Sequence, residues 1–224
     1  MILIFGDSWG VAEWHSNGTL SGPGIGNYFS LHSEVINLSC GAHGNCDQFK
    51  RFENLLTNKF QIDNDDTIYW IITDPLRTAQ HDWKLIIESS TIQHAVVYIL
   101  DGFFNQVNQI CEQYNTRVNF IGGLCDLSDI DISSYRNLSM IVPSWCKLLD
   151  DNYCESLFCY SYLEKLGKIV HDKNPKMLDE WNDIVDVSLR KEQSLINLEK
   201  KGLFTGYHPS REAARILRDT LDPN

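Results

Sequence analysis

Apolar residues along the chain fall into two alternating patterns. Ile2 to Phe5, Val35 to Leu38, Thr67 to Ile72, Val118 to Ile121 and Met140 to Val142 are short, mostly continuous apolar runs, as strands covered on both faces require. Between them the spacing turns helical. Phe49, Phe52, Leu55 and Leu56 share one face of a helix over Asp47 to Leu56, and Ala95, Val96, Ile99, Leu100, Phe103, Val107 and Ile110 sustain a stripe beginning at Ile92 over about five turns. Its aromatics, Tyr98, Phe103 and Phe104, are expected in a core. A second long helix is announced by Asn174 as N-cap and Pro175 at the first helical position, and closes at Gly202. Met177, Leu178, Trp181, Ile184, Val185, Leu189, Leu195 and Ile196 form its expected buried stripe. At 1.5 Å per residue, roughly 27 residues span about 40 Å, so the helix can carry the chain from one end of a sheet to the other. Leu124 to Ser139, rich in Asp and Ser, reads as a surface loop, and the stripe Ala213, Ala214, Ile216, Leu217 and Leu221 as a last helix. Strands alternating with helices predict a parallel α/β sheet built from βαβ units, in a single domain over 1–224 with helical additions around 85–114 and 174–202.

The charge balance narrows the function. Nineteen Lys and Arg against 30 Asp and Glu leave a net charge of −11, which argues against a nucleic-acid partner. The seven cysteines, Cys40, Cys46, Cys111, Cys125, Cys146, Cys154 and Cys159, are odd in number and contain no CxxC pair, and read as reduced core thiols. No Cys or His cluster has metal-ligand spacing, and no metal or cofactor is implied. The opening residues run at once into a strand, with no signal-peptide pattern, and no apolar stretch reaches membrane-spanning length. A soluble, cytoplasmic protein without membrane contact is expected.

Three loops carry candidate chemistry. Gly6-Asp7-Ser8-Trp9-Gly10 follows the first strand, at the strand end where open parallel sheets bind ligands; the bland alternative is a strand-ending turn. Asn37 to Asn45, after the second strand, contains Gly41, His43 and Gly44. Its glycines allow a ligand close to main-chain N–H groups, as an oxyanion site needs, and Asn45 could add a side-chain donor; equally, the glycines could only shape a turn into a helix. Thr205-Gly206-Tyr207-His208-Pro209 precedes the last helix, and a histidine pinned there can act as a general base. Each loop alone is weak, but the conjunction of a serine, a glycine turn and a histidine at element ends is harder to obtain by accident.

These segments resemble the blocks of the SGNH/GDSL hydrolase family, in the family's order and across nearly the whole chain. Ser8 stands in the place of the nucleophile, Gly41 in that of the oxyanion-hole glycine and His208 in that of the final histidine. The resemblance implies a three-layer α/β/α sandwich with a flavodoxin-like central parallel sheet of about five strands. It also implies ester hydrolysis, with His208 as base for Ser8 and the oxyanion held by N–H groups of Ser8 and Gly41. Two departures stand out. The acidic residue usual three positions before the histidine is Thr205, and the usual Gly-x-Asn-Asp after the third strand is replaced by Ile72-Thr73-Asp74-Pro75-Leu76-Arg77. A backbone carbonyl or another carboxylate must then hold the imidazole, with Asp74 and Asp126 the candidates, Asp7 a site-lining group, and Asn45 a substitute oxyanion donor. The Trp after Gly-Asp-Ser and the Thr-x-Pro-x-Arg segment are also similar to short phage-encoded members, which keeps a viral origin open.

The expected function is a serine ester hydrolase acting on a small ester or an acylated sugar. The rival reading is the same fold kept as a binding or structural module after loss of activity. A flavodoxin-like nucleotide or flavin binder is disfavoured, because the first loop lacks the Ser and Thr run that cradles a phosphate.

Overall fold

In the computed structural model, five parallel strands form one sheet: β1 (Ile2–Phe5), β2 (Val35–Asn37), β3 (Thr67–Ile72), β4 (Val118–Gly122) and β5 (Leu138–Val142). Their order is β2-β1-β3-β4-β5, that of a flavodoxin-like sheet. The structure describes the backbone of all residues except 12, 15–19, 23–24, 26–33, 42, 59, 64, 79–82, 124, 155, 159, 207 and 222–224, and, of those described, all side chains except at 8, 11, 13–14, 20–22, 78, 83, 87 and 160–165.

The pleat explains why the strands are apolar on both faces. Leu3, Phe5, Ile68, Trp70, Ile72, Val118 and Phe120 enter one core, and their neighbours Ile4, Ile71 and Ile121 enter the other. On the first face lie α2 (Asn45–Thr57) through Phe52 and Leu56, α5 (Ile92–Tyr114) through Ala95, Leu100, Phe103 and Val107, and α7 (Tyr160–Lys173) through Leu166 and Val170. The second face carries α6 (Trp145–Leu149) and α9 (Arg211–Leu221), whose Ala213, Ala214 and Leu217 are buried. The result is the three-layer α/β/α sandwich. Short helices α1 (Ser8–Val11), α3 (Pro75–Thr78) and α4 (Trp83–Glu88) follow strand ends or bridge to α5.

The helix starting at Ile92 forms as its spacing predicts. Thr91 Oγ1 accepts from His94 N at 3.1 Å, and Glu180 accepts from Ile92 N at 2.7 Å and Gln93 N at 3.0 Å, so the first-turn donors are satisfied. Tyr98 is a correction: it is 60% exposed, whereas Phe103 and Phe104 are buried. The second long helix opens with a 3₁₀ turn over Pro175–Met177 and continues as α8 (Leu178–Lys200). Ile184 belongs to the first core and Leu195 and Leu198 to the second, so α8 carries the chain from one face of the sheet to the other. Its buried side keeps Met177, Ile184 and Leu195 of the expected stripe but departs from it elsewhere, because Leu189 is 47% exposed while Ser188 and Lys191 are buried. Lys191 goes inside because two carbonyls lie along it: its Nζ donates to Ser156 O at 2.6 Å and Phe158 O at 3.0 Å.

Other boundaries shift modestly. β5 starts at Leu138, inside the expected loop, and Cys125, Leu127 and Ile132 of that loop are buried. Helix α4 overlaps the start of the helical addition expected around 85–114, whereas α7 had no forecast. Cys111, Cys125 and Cys146 are core thiols, but Cys40 and Cys154 are half-buried and Cys46 is exposed; Cys159 lies outside the described residues. Burial pushes the Cys111 and Cys146 thiols up to about 12, so both stay protonated. Among the described residues no helix is long and apolar enough to cross a membrane.

Candidate active site

The strand order reverses between β1 and β3, which opens a crevice at their carboxyl ends. Gly6-Asp7-Ser8 leaves β1 there and Thr73-Asp74 leaves β3. Gly6 lies so close to β3 that a Cβ would stand 3.1 Å from Ile71 Cβ. Asp7 is buried and bridges the crevice: Oδ1 accepts from Trp9 N at 3.0 Å, and Oδ2 accepts from Thr73 Oγ1 at 2.7 Å and Arg77 Nη1 at 2.9 Å. Helix α1 begins at Ser8; the Ser8 side chain lies outside the described residues.

The loop after β2 is fastened to the same place. Leu38 N donates to Ile4 O at 2.7 Å and Cys40 N to Gly6 O at 2.9 Å, continuing the ladder past the strand end. Asn37 Nδ2 donates to Gly10 O at 2.7 Å while its Oδ1 accepts from Ser39 N at 3.0 Å. A Cβ at Gly10 would overlap Ser39 Oγ, so only glycine fits where the two loops meet. Gly41 is exposed one residue beyond the Cys40–Gly6 bond, and no hydrogen bond engages its N–H among the described residues. Asn45 is buried at the start of α2, where its amide clasps the backbone of Thr73 in the loop after β3: Nδ2 donates to Thr73 O at 3.2 Å and Oδ1 accepts from Thr73 N at 3.1 Å.

His208 comes from the far end of the chain. Helix α8 stops at Gly202, φ 72°, with Gly202 N donating to Glu199 O at 2.9 Å and Leu203 N to Leu198 O at 3.0 Å. This pair of bonds is the Schellman arrangement, and it turns the chain into a two-stranded hairpin, Phe204–Thr205 against His208–Pro209. Gly206 takes φ 53° at its tip, and its N–H donates to Glu199 Oε1 at 3.2 Å. The residue opposite His208 is Thr205.

His208 Nδ1 lies 2.9 Å from Gly206 O. A carbonyl can only accept, so this bond keeps the proton on Nδ1 and leaves Nε2 as the basic nitrogen. Burial of the half-buried ring holds its pKa below the usual imidazole value, and the Arg77 charge acts in the same direction; the Gly206 carbonyl and the Asp7 carboxylate oppose it. The structure therefore sets Asp7, Arg77 and His208 in one electrostatic neighbourhood.

Aromatic packing joins the serine side to the histidine side. Trp9 is buried with its ring 5.1 Å from Phe204 and 5.7 Å from Trp145, both edge-on. Trp145 Nε1 donates to Ala213 O at 3.3 Å, which ties in the start of α9. Helix α1 packs directly on the His208–Pro209 strand.

Of the candidates for holding the imidazole, the carbonyl is the one found on Nδ1. Asp74 is buried as the cap of α3, where its Oδ1 accepts from Leu76 N at 2.8 Å. Asp126 Oδ1 accepts from Ser128 N at 3.0 Å and Ser128 Oγ at 2.6 Å. His43 Nε2 sits 3.7 Å from Cys40 Sγ in the glycine loop. Three roles escaped the sequence reading: Thr73 and Arg77 as partners of Asp7, and Glu199 as anchor of the hairpin tip. The Thr-x-Pro-x-Arg spacing was their visible signal, since it places a hydroxyl and a guanidinium one helical turn apart across a strand end. Glu199 left none, because its target is a main-chain N–H. No family model, no curated protein and no solved structure matches this chain.

Proposed function

We propose that this protein is a serine ester hydrolase with Ser8 as nucleophile and His208 as general base. The observation that carries the reading is the Nδ1-protonated His208, held by the Gly206 carbonyl beside the helix that Ser8 opens. His208 Nε2 takes the Ser8 Oγ proton as Oγ bonds the acyl carbon, and the carbonyl π pair moves onto oxygen. N–H groups of Ser8 and Gly41 receive that charge. Collapse expels the alcohol, which takes the proton from Nε2. Water then gives its proton to Nε2 and attacks the acyl-enzyme, releasing the acid and restoring Ser8. Asn45 and Asp7 are positioning residues in this scheme.

The carbonyl supplies the tautomer but not the negative charge of a triad carboxylate. Loss of that carboxylate in serine proteases costs about 10⁴ in kcat, much of it through the wrong tautomer, a component this arrangement avoids. The rival reading, a binding module on the same fold, draws on one observation: Thr205 rather than a carboxylate faces His208.

Treating the purified protein with a fluorophosphonate and mapping the adduct by mass spectrometry separates them. Stoichiometric modification of Ser8, abolished in His208→Ala, is the expected outcome. An unmodified Ser8 in folded protein selects the binding module.

A further inference from the structure

The loop after β2 holds a nucleophile that the proposed hydrolysis leaves unused. The Cys40 N–H donates to Gly6 O at 2.9 Å, and the chain then turns back on itself, with His43 N donating to Cys40 O at 3.3 Å. This turn sets the imidazole against the thiol. His43 Nε2 lies 3.7 Å from Cys40 Sγ, within hydrogen-bonding reach of the larger sulfur atom.

The other ring nitrogen decides the direction of that bond. His43 Nδ1 is buried and has no hydrogen-bond partner among the described residues. Buried N–H groups without an acceptor are rare in folded proteins, because nothing compensates the lost hydrogen bond. The neutral ring therefore carries its proton on Nε2, which donates to Sγ, and leaves Nδ1 as a bare lone pair. A hydrogen bond is stronger when its acceptor is ionised, so this one supports the thiolate, the nucleophilic form of cysteine. Cys40 is half-buried rather than enclosed. Other described cysteines are placed differently. Burial keeps Cys111 and Cys146 protonated, Cys125 is buried and Cys46 exposed, and Cys154 Sγ donates to Val187 O at 3.8 Å, a bond that requires the thiol proton.

We propose that Cys40, with His43 as its hydrogen-bond donor, is a modification site for hydroperoxides. The thiolate attacks the OH-bearing oxygen of the peroxide and the O–O bond breaks. The OH stays on sulfur, which is oxidised to the sulfenic acid. The other oxygen, reduced, leaves as hydroxide or alkoxide and takes a proton from water. None of these steps uses Ser8 or His208, so the site stands independently of the hydrolase reading.

Two probes test this near neutral pH, with every cysteine mapped by mass spectrometry: limiting iodoacetamide, which reports thiolate reactivity, and hydrogen peroxide with dimedone, which traps sulfenic acid. Exposure alone would make Cys46 react before Cys40. Expected instead is alkylation of Cys40 ahead of Cys46, with the dimedone adduct on Cys40. In His43→Leu the Cys40 alkylation rate should fall about tenfold or more, because an unassisted thiol is only a few per cent ionised at neutral pH. The Cys46 rate should not change, which makes it the internal control for the fold of the loop. His43→Gln, which restores an N–H donor, should recover part of the loss. Alkylation of Cys46 ahead of Cys40 in the wild type overturns the proposal, and this ordering needs no variant to fold. So does a Cys40 rate unchanged in His43→Leu, or a peroxide-treated protein without dimedone on Cys40.

Discussion

The two halves of the candidate site are held in opposite ways. The serine side is over-determined: Asp7 accepts three hydrogen bonds, Asn37 joins two loops, and Gly10 packs on Ser39 with no space to spare. The histidine side is a hairpin of two residues per strand, anchored in the core by Phe204 and Pro209, with Gly206 exposed at its tip. A buried polar network needs all its members, because each unmatched group then bears a desolvation cost. An edge hairpin needs little beyond a glycine at its turn and an apolar anchor. Rigidity is thus concentrated around Ser8 and the loop of Gly41, the proposed nucleophile and oxyanion donor, while His208, the proposed base, is positioned by a local device.

The largest test of this contrast is on the histidine side. His208→Ala should lower ester hydrolysis by about 10² to 10⁴, the usual worth of a positioned acid–base group, with the urea unfolding midpoint nearly unchanged. A comparable loss of stability would mean that the hairpin is not the independent unit described.

Next come two glycines, one from each half. Gly10→Ala forces a methyl into Ser39 and should cost about 1–3 kcal/mol by urea denaturation, partly recovered by Ser39→Gly. Gly206→Ala meets open space but keeps φ at 53°, so its cost should be about 1–2 kcal/mol, with no rescue by a neighbouring truncation. Equal rescue of both would erase the distinction between packing and backbone strain.

The smallest effects are electrostatic and couple the halves. His208 sits below the ordinary imidazole value of 6.5, so the acid limb of kcat/KM should have its midpoint below that pH. Asp7 raises the His208 pKa and Arg77 lowers it. Arg77→Gln should therefore move the limb to higher pH and Asp7→Asn to lower pH, as read from pH–rate profiles or His208 proton NMR. The stability consequence has a definite sign: the fold favours the neutral ring, so protonation favours the unfolded chain, and His208 weakens the fold as pH drops below 6.5. Limbs that move together in the two variants would uncouple Asp7 and Arg77 from the imidazole.

The legible and illegible parts of the molecule divide along physical lines. Strand runs such as Thr67 to Ile72 were readable because a strand buried on both faces must be apolar at nearly every position. Helix signals such as Pro175 and Gly202 were readable because they answer needs of the local backbone. Tyr98 and Leu189 misled because an apolar residue type was read ahead of its position: at about 100° per residue Tyr98 projects well away from the stripe of Ala95, Phe103 and Val107, and Leu189 from that of Ile184, Ser188 and Leu195, and both are exposed. Lys191 was unreadable for the converse reason: its burial depends on the carbonyls of Ser156 and Phe158, some thirty residues away.

The same division runs through the site. The residue types and their order, Ser8, Gly41, Asn45 and His208, belong to the sequence, as does Thr205 in the position of the acidic residue three places before the histidine. Only tertiary structure decided that Asp7 faces Thr73 and Arg77, that Trp9 meets Phe204, and that α8 crosses from one face of the sheet to the other to bring His208 to α1. Local patterns follow from interactions within a few residues, which a sequence records directly. Partners 66, 70 or more positions apart are chosen by how layers stack, and no local signal encodes that distance.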